Sequence, residues 1–218
     1  MRDVLAVKVE LVSSTTGVRG ESLKELVVYC ARVSNPKSQE EGKNIEKLWN
    51  YLKEHGHWSP FEMVDLCMEI ECPRDISRQL LRHRSFSFQE FSQRYGNPIA
   101  EGLQLSFRET RLQDHKNRQN SIETEDERTV HKWVQLQSKM KDVALGLYSS
   151  AIDLDIAKEV ARTLLPEGMT NSRLYMKGSL RSWMHFIEVR SHESAQKEIR
   201  EIADQCDKII SNMLERNL

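Results

Sequence analysis

A chain of 218 residues, 39% hydrophobic and 30% charged, suits one sizeable globular domain, taken here as residues 1–218, with a solvated and largely helical exterior. Its 32 basic and 33 acidic residues leave a formal net charge of −1, which excludes nucleic-acid binding by bulk charge and confines any anion site to a local cluster. Cys30, Cys67, Cys72 and Cys206 form no CxxC pair and no zinc-finger quartet, and neither a signal peptide nor an apolar run of membrane length is visible; reduced core thiols, no membrane and an intracellular, cytoplasmic setting are expected.

Residues 4–11 place Leu5, Val7, Val9 and Leu11 on one face with Lys8 and Glu10 opposite, which predicts a strand. ESLKELVVYCARVS predicts a helix that enters a loop at Asn35–Pro36. From 44 to 55, Ile45, Leu48, Trp49 and Leu52 keep helical spacing, and Gly56 offers a left-handed stop. Residues 63–72 give the clearest strand, with Val64, Leu66, Met68, Ile70 and Cys72 on one side. The next helix starts at Pro73 and carries Ile76, Leu80 and Leu81 on its apolar side.

Further along, LQLSFR (103–108) alternates as a strand, and the polar DHKNRQNSIETEDE predicts a surface loop. A helix is expected over 127–150 and another from Asp153 to Leu165, ended by Pro166. RLYMK (173–177) suits a short strand, followed by helices over 179–190 and 193–214. In the last helix, Ala195, Ile199, Ile202, Cys206, Ile209 and Met213 form a stripe that must pack on the core or on another subunit. Strands and helices without a βαβα rhythm indicate α+β. His55 and His57 have no third ligand at loop or helical spacing, so no metal is expected there.

Between positions 74 and 94 stand five arginines, Arg74, Arg78, Arg82, Arg84 and Arg94, and no lysine. Arginine offers a rigid fork of donors that matches phosphate oxygens. Two adjacent cations about 6 Å apart repel by roughly 2–3 kcal/mol at an effective dielectric near 20, a cost that bound anions offset. Helical geometry fans Arg82, His83 and Arg84 around the axis, so they reach one extended ligand or two ligands only where the helix ends. Ser87, Gln89, Glu90 and Ser92 beyond them suit a loop around a phosphate or base, anchored by Phe86, Phe88 and Phe91.

The segment RHRSFSFQEFSQRY resembles the signature of the flavin-dependent thymidylate synthases: R-H-R, seven residues, S, then R two further on. ARVSNP (31–36), HGHWSPFEM (55–63), ARTLLP (161–166) and SLRSWMHFIEVR (179–190) with AQKEI (195–199) are similar to its other motifs, so the resemblance covers nearly the whole chain. It implies a mixed α/β fold, a central sheet flanked by helices, assembled as a homotetramer with active sites between subunits. It implies conversion of dUMP to dTMP, with 5,10-methylenetetrahydrofolate as one-carbon donor and NADPH reducing a bound FAD. It also implies a route without a cysteine nucleophile; Cys72–Pro73 is the reverse of the Pro-Cys order in the other thymidylate synthase class.

By matching position, the resemblance assigns FAD to Ser59, Arg82, His83, Arg84, Glu90, Ser179, Leu180, Arg181 and His185. It assigns dUMP to Gln79, Leu80, Leu81, Arg82, Glu90, Phe91, Ser92, Gln93, Arg94, Arg162 and Arg190, with Arg190 polarising the uracil ring and residues 91–94 offering backbone N–H groups to the phosphate. His57 matches a family histidine near flavin or folate. Three positions depart from the common pattern: Ser179 and His185 stand where many members have Asn, and Gln89 where Asn is common. On helix 179–190, Leu180, Trp183, Met184 and Ile187 form the apolar side, with Arg181, His185 and Glu188 on another. Two other readings stay open: a relative with a different pyrimidine nucleotide or one-carbon chemistry such as hydroxymethylation, and a nucleic-acid module using Arg82–Arg94. Net charge and the lack of an RNP, KH or helix-turn-helix pattern disfavour the second.

Overall fold

The computed structural model describes residues 7–215; the predicted strand residue Leu5 lies outside them. Strand β1 (Lys8–Ser14) opens the sheet. Val7 and Val9 are buried, but Leu11 is 40% exposed, because β1 is an edge strand and a bulge between Leu11 and Ser13 interrupts its register with the next strand. Helix α1 (Leu23–Ala31) starts at a capping box in which Ser22 and Glu25 exchange hydrogen bonds. The loop expected at Asn35–Pro36 is instead a short helix, α2 (Pro36–Glu41), because Asn35 caps it and Pro36 suits its first turn. Helix α3 (Ile45–Glu54) ends as expected, with Gly56 at φ 66°.

A 3-10 turn, Ser59–Met63, leads into β2 (Asp65–Pro73), whose inward residues Leu66, Met68, Ile70 and Cys72 are at most 1% exposed. Pro73 closes this strand opposite Asn171, so helix α4 (Arg74–Leu80) begins one residue later than predicted. The loop expected after R-H-R contains an edge strand, β3 (Ser87–Glu90). Two of the three phenylalanines expected to anchor a loop are instead the period-2 pattern of that strand: Phe86, just before it, is buried and Phe88 half-buried, while Ser87 and Gln89 face outward and Phe91 lies beyond its end.

Residues 103–108 form no strand. Leu105 and Phe107 turn inward, but the backbone is tied at points: a bridge from Leu105 to Thr170, and Ser106 N–H to the Met169 carbonyl at 2.9 Å. The expected polar loop contains a hairpin of β4 (Arg111–Gln113) and β5 (Ser121–Glu123). Helix α5 (Glu127–Asp153), capped by Asp126, meets no breaker and absorbs the start of the second helix expected there. Asp155 then takes φ 56°, a conformation Asp tolerates, and the rest of the expected helix is reduced to α6 (Lys158–Ala161) and a 3-10 turn at Arg162–Leu164.

The predicted short strand is the nine-residue β6 (Asn171–Ser179), paired along its length with β2 and on its other side with β3. The four-stranded sheet runs β1-β2-β6-β3, antiparallel throughout. Helices α7 (Leu180–Arg190) and α8 (Lys197–Glu215) complete the described chain. Together with α1, α3 and α4 they bury the face carrying Leu66, Met68, Ile70, Leu174 and Met176. The α8 stripe packs into this same core through Ile199, Ile202 and Cys206, so it is satisfied within the chain. A second core joins Leu105 and Phe107 to Ala144, Tyr148, Ala161, Leu165 and Met169.

Candidate active site

Because β3 pairs with β6, the R-H-R turn between α4 and β3 lies beside the junction of β6 and α7. Phe86 seals the two together. Its ring lies edge-on to Trp183 at 4.7 Å, and a Cβ at Gly178 would come within 2.5 Å of it. Helix α4 ends at Leu80, so Arg82, His83 and Arg84 leave the helix and diverge. His83 turns inward, edge-on to Phe186 at 5.0 Å, and its Nε2 accepts a 2.8 Å hydrogen bond from Arg190 Nε. The accepting nitrogen must carry a lone pair, so the ring is neutral with its proton on Nδ1. Burial first, then the charges of Arg190 and His185, lower the His83 pKa to about 4. Burial, then Arg82, also pulls the Arg190 guanidinium below its ordinary value. Arg82 and Arg84 are exposed and form no ion pair among the described residues.

The start of α7 forms a second cluster. Ser179, the last residue of β6, caps α7 by accepting from Ser182 N–H at 3.2 Å and donates to the Glu62 carboxylate. Arg181 Nη1 reaches Glu62 Oε1 at 3.0 Å. Serine at 179 is therefore fully engaged where a longer Asn is common. Ser59, exposed, begins the same 3-10 turn that carries Glu62. His185 is an exposed side chain 4.0 Å from Glu188. Leu180 is fully buried and its N–H bonds the Val64 carbonyl at 2.8 Å.

The other arginines surround β3 and the loop beyond it. Glu90 accepts from Ser77 and Ser172 and lies 3.3 Å from Arg78 Nη1 and 3.7 Å from Arg74 Nη1. Arg94 pairs with Glu159 at 3.1 Å, and Arg162 Nε bonds the Glu159 carbonyl at 3.3 Å. Phe91 is half-buried against Gly96, and Ser92 is exposed. Gln93 is 5% exposed, and its amide nitrogen, like buried Arg74 Nη1, has no hydrogen-bond partner among the described residues. Gln79 donates to Gln196 at 2.8 Å. Leu80 is fully buried, leaving only its backbone for a ligand, and Leu81 is the half-exposed cap of α4.

Sequence reasoning assigned no role to Glu62, Ser77, Ser172, Glu159 or Gln196, which hold the predicted residues in place. Only Glu62 and Gln196 lay within quoted motifs. Serines 77 and 172 occupy positions an apolar residue would fill, and no local pattern marks them. His55 and His57 contribute to a ring cluster with Tyr51. In the ARVSNP motif, Arg32 bonds the carbonyls of Ser38 and Lys43 and locks the α1–α2 corner. A cavity of about 220 Å³ beside it, lined by Arg19 paired with Glu21 and by Arg32 among others, stands apart from the arginine cluster. Burial raises the thiol pKa of all four cysteines.

An antiparallel α+β fold with surface arginines free of ion pairs among the described residues, on the turn after α4 and next to a half-buried Arg–His pair, presents a set of donors suited to anionic ligands. The model of the family described as "Thymidylate synthase complementing protein" matches residues 11–214. The chain is 47% identical over 194 residues to a flavin-dependent thymidylate synthase of Synechocystis sp., covering 88% of this chain and 87% of that one. It is 42% identical over 186 residues to a probable flavin-dependent thymidylate synthase of Paramecium bursaria Chlorella virus 1, covering 85% and 84%. Among solved structures, it is similar to a UMP/dUMP methylase, PolB, from Streptomyces cacaoi bound with 5-Br dUMP, with a TM-score of 0.81, 28% identity, and coverage of 95% and 91%. The chain belongs to the flavin-dependent thymidylate synthase family. No helix among the described residues is long and apolar enough to cross a membrane.

Proposed function

We propose that this protein converts dUMP to dTMP, with FAD bound, 5,10-methylenetetrahydrofolate as one-carbon donor and NADPH as reductant. The observation that carries the reading is the pair of exposed, acid-free arginines, Arg82 and Arg84, flanking the histidine that holds Arg190. Such cations suit phosphates that the chain itself does not supply. Buried Gln93 Nε2 and Arg74 Nη1, without hydrogen-bond partners among the described residues, add donors at the nucleotide end. The residues present thus fit a flavin and a nucleotide side by side.

In this reading Arg82, Arg84 and Arg181 hold the flavin phosphates, with Ser59, Ser179 and His185 shaping the rest of that site. Arg94 and Arg162 exchange their contacts with Glu159 for the nucleotide phosphate. Arg190, its Nε engaged by His83, directs its remaining N–H groups at the uracil ring and stabilises negative charge developing there. When bound, FAD supplies the hydride and mediates carbon transfer. Burial that keeps the four thiols protonated supports a route without a cysteine nucleophile.

The active unit is a homotetramer with its sites between subunits. Support comes from α5, whose Trp133, Leu136, Met140, Val143 and Leu147 repeat at 3-4-3-4 spacing and are 38–56% exposed. Val160 and Leu164, also exposed, extend this apolar surface to the segment that carries Arg162.

The test is the absorption spectrum of the purified protein before and after dUMP, followed by mass analysis of the product formed with NADPH and methylenetetrahydrofolate. Flavin bands that shift with dUMP, and dTMP as product, are expected. A colourless protein that stays inactive with added FAD overturns the proposal. The likeness to a methylase of UMP and dUMP favours one second reading, a broader pyrimidine nucleotide scope, which methylation of UMP in the same assay would reveal.

A further inference from the structure

Glu90 is clamped from two directions. Ser77 Oγ, on α4, lies 2.8 Å from its Oε1, and Ser172 Oγ, on β6, lies 2.9 Å from the same oxygen. Both serines have no solvent exposure. Ser77 shares the buried side of α4 with Ile76 and Leu80, and Ser172 the inward face of β6 with Leu174 and Met176. An apolar side chain would pack at either place, and a buried hydroxyl costs stability unless it is bonded. Glu90 supplies the acceptor.

The protons can be assigned. Ser77 Oγ is also 2.8 Å from the Arg74 carbonyl, and one hydroxyl donates one proton. An ionised carboxylate is the stronger acceptor, so the proton goes to Glu90. Oε1 is thereby occupied. Oε2 keeps a 3.3 Å contact with Arg78, which is 41% exposed and shared with Glu167, so a ligand competes for this oxygen at little cost.

We propose that Ser77 and Ser172 are positioning residues that lock the Glu90 side chain so that Oε2 alone is offered to a hydrogen-bond donor of the nucleotide, a hydroxyl or ring N–H rather than its phosphate. The proposal rests on the proposed function and on the assignment of Glu90 to dUMP that the family resemblance implies.

Ser172→Ala, Ser77→Ala, Ser172→Thr, Glu90→Gln and Glu90→Gln/Ser172→Ala are compared as flavin-loaded enzymes for KM and kcat with dUMP. Dissociation constants come from the dUMP-induced change in flavin absorbance, and thermal unfolding monitors the fold. Each alanine variant raises KM and Kd for dUMP about tenfold, with kcat changed much less, while threonine at 172 retains wild-type values. In the Glu90→Gln background, Ser172→Ala adds less than about twofold, because its effect acts through the carboxylate. If Ser172→Ala does not fold, Ser77→Ala decides alone. Unchanged KM in Glu90→Gln removes Glu90 from the nucleotide site, and the proposal falls with it. A raised KM in Glu90→Gln, with wild-type values in both alanine variants, overturns the positioning role and leaves Glu90's contact standing.

Discussion

The Arg190–His83 bond ties two distant parts of the chain into one electrostatic unit, and its polarity sets its pH behaviour. His83 accepts from Arg190 only while neutral, and its pKa is lowered to about 4 from an ordinary 6.5. Between those values the unfolded chain binds a proton that the folded chain refuses. The contribution to stability is therefore full above pH 6.5 and declines as pH falls towards 4. Denaturant unfolding of wild type and His83→Gln at pH 7 and pH 5 checks this: the wild type loses more stability across the interval. The same shift predicts no inflection near pH 6.5 in kcat/KM that His83→Gln abolishes. Arg190→Ala is expected to leave folding and flavin binding intact while lowering kcat by about 10²–10³, the scale for losing a charge-stabilising donor. Steady-state kinetics beside a flavin titration tests it, and unchanged turnover would mean that another residue activates the ring. At this scale the sequence was informative about arginines and silent about their partners. Clustering singled out Arg82 and Arg84, and the family resemblance Arg190, but Glu159 beside Arg94 and Ser172 beside Glu90 are contacts across sequence separations of 65 and 82 residues, which no local pattern encodes.

Secondary-structure elements read well where one face is buried and poorly where pairing is local or short. Strand β2 and helix α8 show their period because a continuous core covers one side of each. Strand β3 was hidden by Ser87, Gln89 and Glu90, although the alternation of Phe86 and Phe88 carried the signal. Its placement depends on Gly178, where the Phe86 ring occupies the space of a Cβ. Gly178→Ala is expected to destabilise by about 1–3 kcal/mol, the usual range for overpacking a buried ring, as read from a denaturant midpoint. Helix α5 shows the converse case. Its apolar stripe stays largely exposed among the described residues. Met140→Glu with Leu147→Glu is expected to reduce the assembly to a smaller species in sedimentation analysis and to abolish dTMP formation. An unaltered assembly would place the subunit contact elsewhere.

Across the whole molecule, a buried ion network connects the two cores. Glu198 at the start of α8 receives Arg111 and, at 3.4 Å, Arg108, and Arg108 also holds Asp75 on α4. Burial pushes the Glu198 carboxyl up, but its backbone hydrogen bond and the two arginines outweigh that and leave its pKa lowered. This contribution is present above the ordinary 4.5 and is lost as pH falls through the lowered value. Glu198→Ala leaves the mostly buried Arg111 guanidinium without its carboxylate and Arg108 with Asp75 alone, and is expected to cost about 3–5 kcal/mol. Thermal unfolding near neutral pH measures it; a loss below about 1 kcal/mol would show that solvent already screens the network.

The sequence by itself determined which segments bury a face, where α3 must stop, and that a nearly neutral chain concentrates arginine in one stretch, because periodicity, capping and charge are local properties. It also carried motifs specific enough to place the chain in its family. Only the tertiary structure decided that β6 runs through the sheet centre between β2 and β3, that the α8 stripe packs into the core while that of α5 stays exposed among the described residues, and that His83, Ser77 and Ser172 meet the groups they touch. Those outcomes depend on which distant residues meet in a packed core, where a hydroxyl or an imidazole takes its role from the one partner within hydrogen-bonding distance.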